Sequence, residues 1–253
     1  CDASPALLKI AGPSNGQSLG IGTYTVRYQA IDAKDNSSEM TFTITVSDPN
    51  PPTISCVPGS TSENPFERTT DPGTCYYRVQ PGEFDPTVSD DCSYTLTNDF
   101  DGSSTLDGKQ LDAGEYPVVW TAEDNSGNSS TCTIYVNITD NQYPTFDVES
   151  GHFERNTDPG KCYYTIPSPV FDPSNINDNC EIDTVHYEIS GGAYSTPQTG
   201  GNTLAGNQIP PSNNDYSIVW TVVDVNGLST ISTPFTLNVS DNQAPAFTCY
   251  GNE

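Results

Sequence analysis

The residues of this chain best placed to do chemistry are acidic. Asp and Glu number 33 against 8 Lys and Arg, a formal charge of −25 over 253 residues. Calcium takes six to eight oxygen ligands from carboxylates, amides and backbone carbonyls, and a chain rich in Asp and Asn supplies them. The sharpest candidates are Asp140-Asn141 and Asp241-Asn242, which open the similar strings DNQYPTF and DNQAPAF. Asp48-Pro49-Asn50 stands at the matching point of a third string and departs from it, so a weaker site is expected there. Other carboxylates could converge on these points: Asp124 (with Glu123 beside it) and Asp224 in D-x-x-G turns, and Asp90-Asp91 and Asp178 just ahead of cysteines. Each has a plainer alternative. Asp-Asn before proline is a common turn, and Asp in D-x-x-G caps its own hairpin by accepting backbone N–H bonds.

The eight cysteines form no C-x-x-C pair, which argues against zinc ribbons and thioredoxin-like sites and for staples in an oxidising compartment. A catalytic thiol needs a nearby base, and the two histidines, His152 and His186, have no counterparts elsewhere in the chain. Asp99 and Asp101 could imitate a glycosidase pair, but they sit in one turn-rich connector, and 33 acids make such pairs inevitable. The chain therefore reads as non-enzymatic. Eight cations cannot build the basic face a nucleic-acid partner requires, and an anionic membrane surface would repel the chain. No apolar run approaches the roughly 20 residues that cross a bilayer.

These residues are set out by an internal repeat. FTITVSDPNPPTISC (42–56), IYVNITDNQYPTFDV (134–148) and FTLNVSDNQAPAFTC (235–249) share one pattern. RTTDPGTCYYRVQPGEFDPTVSDDCS (68–93) matches RNTDPGKCYYTIPSPVFDPSNINDNCE (155–181). Aligning them divides the chain into the C-terminal half of a repeat (1–48), two whole repeats (49–140 and 141–241) and an opening strand of another (242–253), a window of a longer array. Apolar residues alternate with period two, as in Val118, Trp120 and Ala122 or Ile218, Trp220 and Val222. Repeats of about 90 residues with short alternating strands and a buried Trp predict an all-β fold of tandem immunoglobulin-like β-sandwiches arranged as an extended rod. The half-repeat should lack partner strands or borrow them from elsewhere. Cys56 and Cys132 are both replaced at the matching positions of the third repeat, which predicts the bridge Cys56–Cys132. Cys75 and Cys92 recur together as Cys162 and Cys180, which predicts Cys75–Cys92 and Cys162–Cys180, each worth about 3 kcal/mol by chain entropy. Cys1 and Cys249 are left for partners beyond the window.

The recurring D-P-G-x-C, D-[DN]-C, V-x-W-T-x-x-D-x-x-G and C-x-[IF]-x-V motifs resemble the hyalin repeat (HYR) family over nearly the whole chain. That resemblance implies immunoglobulin-like modules of extracellular adhesive proteins. Residues 95–132 also resemble HYR arrays in gliding-motility surface adhesins of Bacteroidetes exported by type IX secretion. The junction strings resemble the cadherin linker, in which Asp and Asn hold calcium between successive domains. Together these imply a cell-surface stalk or adhesin, stiffened by disulfides and by calcium. Its partners would be other repeats of the array and an extracellular glycan or surface protein. The alternatives are a glycan- or protein-binding module and an accessory segment of a secreted enzyme.

Overall fold

The computed structural model describes residues 5–245, and among these every regular element is a β-strand. The chain is all-β, in immunoglobulin-like repeats. Two compact units form: residues 1–66, 79–108 and 116–136 in the first, and 67–78, 109–115 and 137–253 in the second. The first contains the half-repeat, the second contains the third repeat, and the second repeat contributes to both.

In the first unit the half-repeat is a three-stranded antiparallel sheet, ordered Ala6–Ala11, Gly22–Ile31, Ser37–Val46. Alternation places Tyr24, Val26 and Tyr28 opposite Ile44, Phe42 and Met40 on one face. That face is largely open: Val26 is buried, but Met40 is 60% and Phe42 41% exposed. In the second repeat the same alternation is fully used. Val118, Trp120, Ala122, Ile134 and Val136 are all buried, each Val and Ile contributing about 1.5–3 kcal/mol. Cys56–Cys132 is bridged, as expected, and staples the repeat's first strand, Thr53–Ser55, to Ser129–Thr139.

In the second unit, one sheet of the third repeat runs His152–Asn156, Phe235–Ser240, Tyr216–Asp224, Ile182–Gly191, Gln198–Gly200. The first two strands are parallel, with Phe153 opposite Leu237, and the others antiparallel. Tyr216, Ile218, Trp220 and Val222 are completely buried, with Phe235 and Leu237 beside them in sequence register. Trp220 Nε1 donates to the Phe171 carbonyl at 2.9 Å.

Two predicted bridges are corrected. Cys75 is bonded to Cys180, with a Cα–Cα distance of 4.8 Å, so neither Cys75–Cys92 nor Cys162–Cys180 forms, and Cys92 and Cys162 are exposed thiols. Recurrence of two cysteines in each repeat cannot distinguish a bridge within a repeat from a bridge between successive ones. The fold decides for the latter. The turn of Cys75 follows the end strand of the second repeat, where the third repeat's Asp178-Asn179-Cys180 loop arrives. Cys1 and Cys249 lie outside the described residues, as does most of the expected strand 242–253.

A candidate cation site at the repeat junctions

Asp140 ends the strand Ser129–Thr139 and is half-buried. Its Oδ1 accepts from Thr70 Oγ1 (3.1 Å), the Gln142 N–H (3.1 Å) and Asn179 Nδ2 (3.1 Å), and its Oδ2 accepts from Asn226 Nδ2 (3.2 Å). Gln142 completes the clasp: its Oε1 accepts from the Gly73 N–H (2.8 Å) and its Nε2 donates to the Asp71 carbonyl (3.2 Å). Burial pushes the Asp140 carboxyl upward, but the donated bonds from Gln142, Asn179, Thr70 and Asn226 outweigh it and hold the group below its usual range.

Asp178 and Asp224 converge on the same junction. Asp178 Oδ2 accepts from the Cys180 N–H at 2.8 Å. Burial raises its carboxyl above the usual range, and the nearby charges of Asp224 and Asp140 raise it further. Asp224 caps its hairpin, Oδ1 accepting from the N–H groups of Asn226 (2.8 Å) and Leu228 (2.9 Å). It is 1% exposed. Its Oδ2, Asp178 Oδ1 and Asn179 Oδ1 are buried oxygens with no hydrogen-bond partner. Leaving such acceptors unmet costs about 1–3 kcal/mol each, and carboxylate and amide oxygens of this kind are ligands a hard cation takes. Ligand atoms of Asp140, Asp178 and Cys180 lie within 4.8 Å of one another, and the Cys180 sulfur is committed to its bridge.

Asp48 builds the junction in the first unit. Carboxylate oxygens of Asp48, Asp90 and Asp124 lie within 4.8 Å of one another, and Asp48 Oδ2 is buried and unpartnered. Asp124 caps its hairpin as Asp224 does, accepting at Oδ1 from Ser126 N–H and Asn128 N–H, both 2.8 Å. Here, however, its Oδ2 is occupied by Asn128 Nδ2 at 2.7 Å, where the third repeat has Leu228. Burial raises the Asp124 carboxyl, and these bonds, led by Asn128, lower it below its usual range. Asp241 repeats the Asp140 clasp with Thr157 and Gln243 but is exposed.

Of the residues expected to bind metal, Asp140 and Asp224 share one junction, and Asp48 and Asp124 share the other. Asn141 and Asn242 are exposed and outside the clasps. The residue after each has a different role: Gln142 and Gln243 fasten the junction strand to the D-P-G turn. The Gln recurs in both DNQ strings, which was the signal for it. Asn179 and Thr70 had a weaker one, standing inside the matched D-P-G and D-x-C strings.

A junction of sandwiches clasped through Asp, Thr and Gln, with buried carboxylates between successive repeats, defines a tandem β-sandwich module protein. The HYR domain model matches residues 2–46 and 47–138. The chain belongs to the HYR domain family. It is 32% identical over 155 residues to "Hyalin" of Strongylocentrotus purpuratus, covering 56% of this chain and 12% of that protein. It is 32% identical over 119 residues to "Sushi, von Willebrand factor type A, EGF and pentraxin domain-containing protein 1" of Mus musculus, covering 47% of this chain and 3% of that one. The chain thus spans a small part of these relatives' length, and neither supports the gliding-adhesin resemblance of residues 95–132. Solved structures with similar folds include human mucin-like protocadherin EC1-2 (TM-score 0.34, 13% identity, 75% of this chain, 98% of that one). Another is the fibronectin(III)-like modules of Clostridium thermocellum CbhA (TM-score 0.32, 10% identity, 79% and 100%). Among the described residues no helix is long and apolar enough to cross a membrane.

Proposed function

We propose that this chain is a non-enzymatic, extracellular structural segment of a larger adhesive protein, and that calcium bound at its repeat junctions stiffens it. The supporting observation is the convergence of Asp140, Asp178, Asn179 and Asp224, with three buried oxygens lacking partners. Asp178, Asn179 and Asp224 supply those oxygens, and Asp140 orients Asn179 and Asn226 around them. A cation there would tie the end of one repeat to a loop and a hairpin of the next, which limits bending between them. The adhesive role rests on membership of the HYR family and on kinship to hyalin. Two disulfides among the described residues, in a chain without C-x-x-C pairs, accord with an oxidising exterior. Gliding attachment after type IX secretion is a narrower form of this reading and rests on the sequence resemblance alone.

The test is thermal unfolding and small-angle scattering of the whole chain in calcium, magnesium or EDTA at one ionic strength. At 100-fold excess over its dissociation constant, a bound ion stabilises by about 2.7 kcal/mol. Calcium should raise Tm and narrow the spread of particle dimensions, magnesium should do so less, and Asp224→Ala should abolish the gain. Equal Tm in calcium and EDTA would sink the cation reading.

A further inference from the structure

The face that receives Cys180 is built twice, and among the described residues one copy is occupied. At the occupied copy, Thr70 and Gln142 clasp Asp140, and Cys75 is bonded to Cys180. At the other, Thr157 Oγ1 donates to Asp241 (3.2 Å), and the Gln243 N–H donates to the same carboxylate (3.0 Å). The Gly160 N–H donates to Gln243 Oε1 (2.6 Å), matching Gly73 and Gln142. The D-P-G turns also agree: Asp158 N–H to the Tyr163 carbonyl and Asp71 N–H to the Tyr76 carbonyl, both 2.8 Å. This second face ends in Cys162, an exposed thiol.

The inserting loop is likewise built twice. The Cys180 N–H donates to Asp178 Oδ2 at 2.8 Å, and the Cys92 N–H donates to Asp90 Oδ2 at 3.1 Å. Each loop follows a strand paired to the first strand of its repeat, Thr145 opposite Asn177 and Thr53 opposite Ser89. Cys92 is also an exposed thiol.

We infer that the Thr157–Cys162 and Asp241–Gln243 face is a covalent docking site for the Asp-x-Cys loop of a further HYR repeat, joined through Cys162. The occupant is identified by the occupied copy: a loop whose aspartate turns its cysteine toward the D-P-G-x-C turn. The middle residue sets the fit. Asn179 donates to the Thr74 carbonyl (2.9 Å) and to Asp140 (3.1 Å). The matching acceptors on the open face are the Lys161 carbonyl, held for now by Gln243 Nε2 at 3.3 Å, and Asp241. An Asp-Asn-Cys loop meets both. This chain's own Asp90-Asp91-Cys92 loop is the poorer ligand, because Asp91 cannot donate and would face Asp241.

Bond formation consumes two thiols. A small-molecule disulfide such as oxidised glutathione accepts their two electrons and two protons and leaves as two thiols. The step balances as attack by the Cys162 thiolate on a mixed disulfide between glutathione and the incoming loop's cysteine, expelling glutathione thiolate.

The whole chain can be its own probe. In a Cys1→Ser, Cys249→Ser background, Cys92 and Cys162 are the unbridged thiols. Incubation with a glutathione redox buffer, followed by non-reducing peptide mapping, counts Cys162–Cys92, Cys92–Cys92 and Cys162–Cys162 links between copies. With Asp91→Asn added, the mixed link should exceed each symmetric link about tenfold, the ratio that about 1.4 kcal/mol of complementarity confers. It should fall when Asp91 is restored and vanish with Cys162→Ser. Statistical proportions of the three links in the Asp91→Asn chain, at unchanged Tm, would overturn the inference. It stands independently of calcium, since EDTA should not alter the ratio.

Discussion

Asp178 is the residue whose charge the junction tolerates least. A carboxyl raised above its unfolded value favours the protonated fold, so its stabilising contribution is complete below the unfolded pKa of about 3.9. That contribution is lost as pH rises through the folded value. Asp140 and Asp124, held low, behave in the opposite sense: their stabilisation is present above the unfolded pKa and lost as pH falls through their folded values. Asp178→Asn keeps an oxygen for the Cys180 N–H and removes one of three converging charges. In EDTA at neutral pH the variant should melt higher than the parent, by about 2–4 °C for each kcal/mol of repulsion relieved. The difference should shrink as pH falls toward 4, and in calcium the order should reverse. Melting curves at two pH values with and without calcium decide it, and an unchanged Tm in EDTA would show that the three carboxylates do not repel. At this scale the sequence was partly legible. Asp140 and Asp224 were visible as recurring residues, but the free oxygens were not, because they depend on Leu228 standing where the second repeat has Asn128.

At the scale of the element, alternation located the paired core strands and their two Trp residues, but local environments separate the two rings. Trp220 Nε1 donates to the Phe171 carbonyl, whereas Trp120 Nε1 is buried without a partner. A net hydrogen bond is worth about 0.5–1.5 kcal/mol, and an unmet buried donor carries a penalty. Trp220→Phe should therefore destabilise more than Trp120→Phe by about 1–2 kcal/mol in urea unfolding, and equal costs would contradict the difference in bonding. Bridges follow the same logic of context. Cys75–Cys180 spans 105 residues and Cys56–Cys132 spans 76, so chain entropy assigns each roughly 4.5 kcal/mol. Cys75→Ser with Cys180→Ser should cost 2–5 kcal/mol and sharply weaken any calcium response, because Asp178 and Asn179 are held at the junction by that bridge. An undiminished response would mean that Thr70, Gln142 and Asn179 alone place the loop. The sequence could not reveal this pairing: two cysteines recurring at fixed spacing look the same whether each repeat closes on itself or on its neighbour.

For the whole molecule, two electrostatic effects with different ranges act on one chain. A net charge of −25 repels itself diffusely, whereas the junction carboxylates repel at a few ångströms. Simple salt screens the first: the Debye length falls from about 30 Å at 0.01 M to about 8 Å at 0.15 M. Buried pairs are screened far less. In EDTA, raising sodium chloride over that range should therefore raise Tm, and most of that gain should survive Asp178→Asn and Asp224→Ala. Calcium at the higher ionic strength should add a second increment that sodium cannot replace and that Asp224→Ala removes. The two increments should also be coupled, because each bound divalent ion lowers the net negative charge and leaves less repulsion for salt to screen. The salt dependence of Tm should thus be shallower in calcium than in EDTA. If instead the slopes are equal and calcium acts only through ionic strength, the acidic excess serves solvation and turn formation, and the disulfides with the Asp–Thr–Gln clasps carry the rigidity alone.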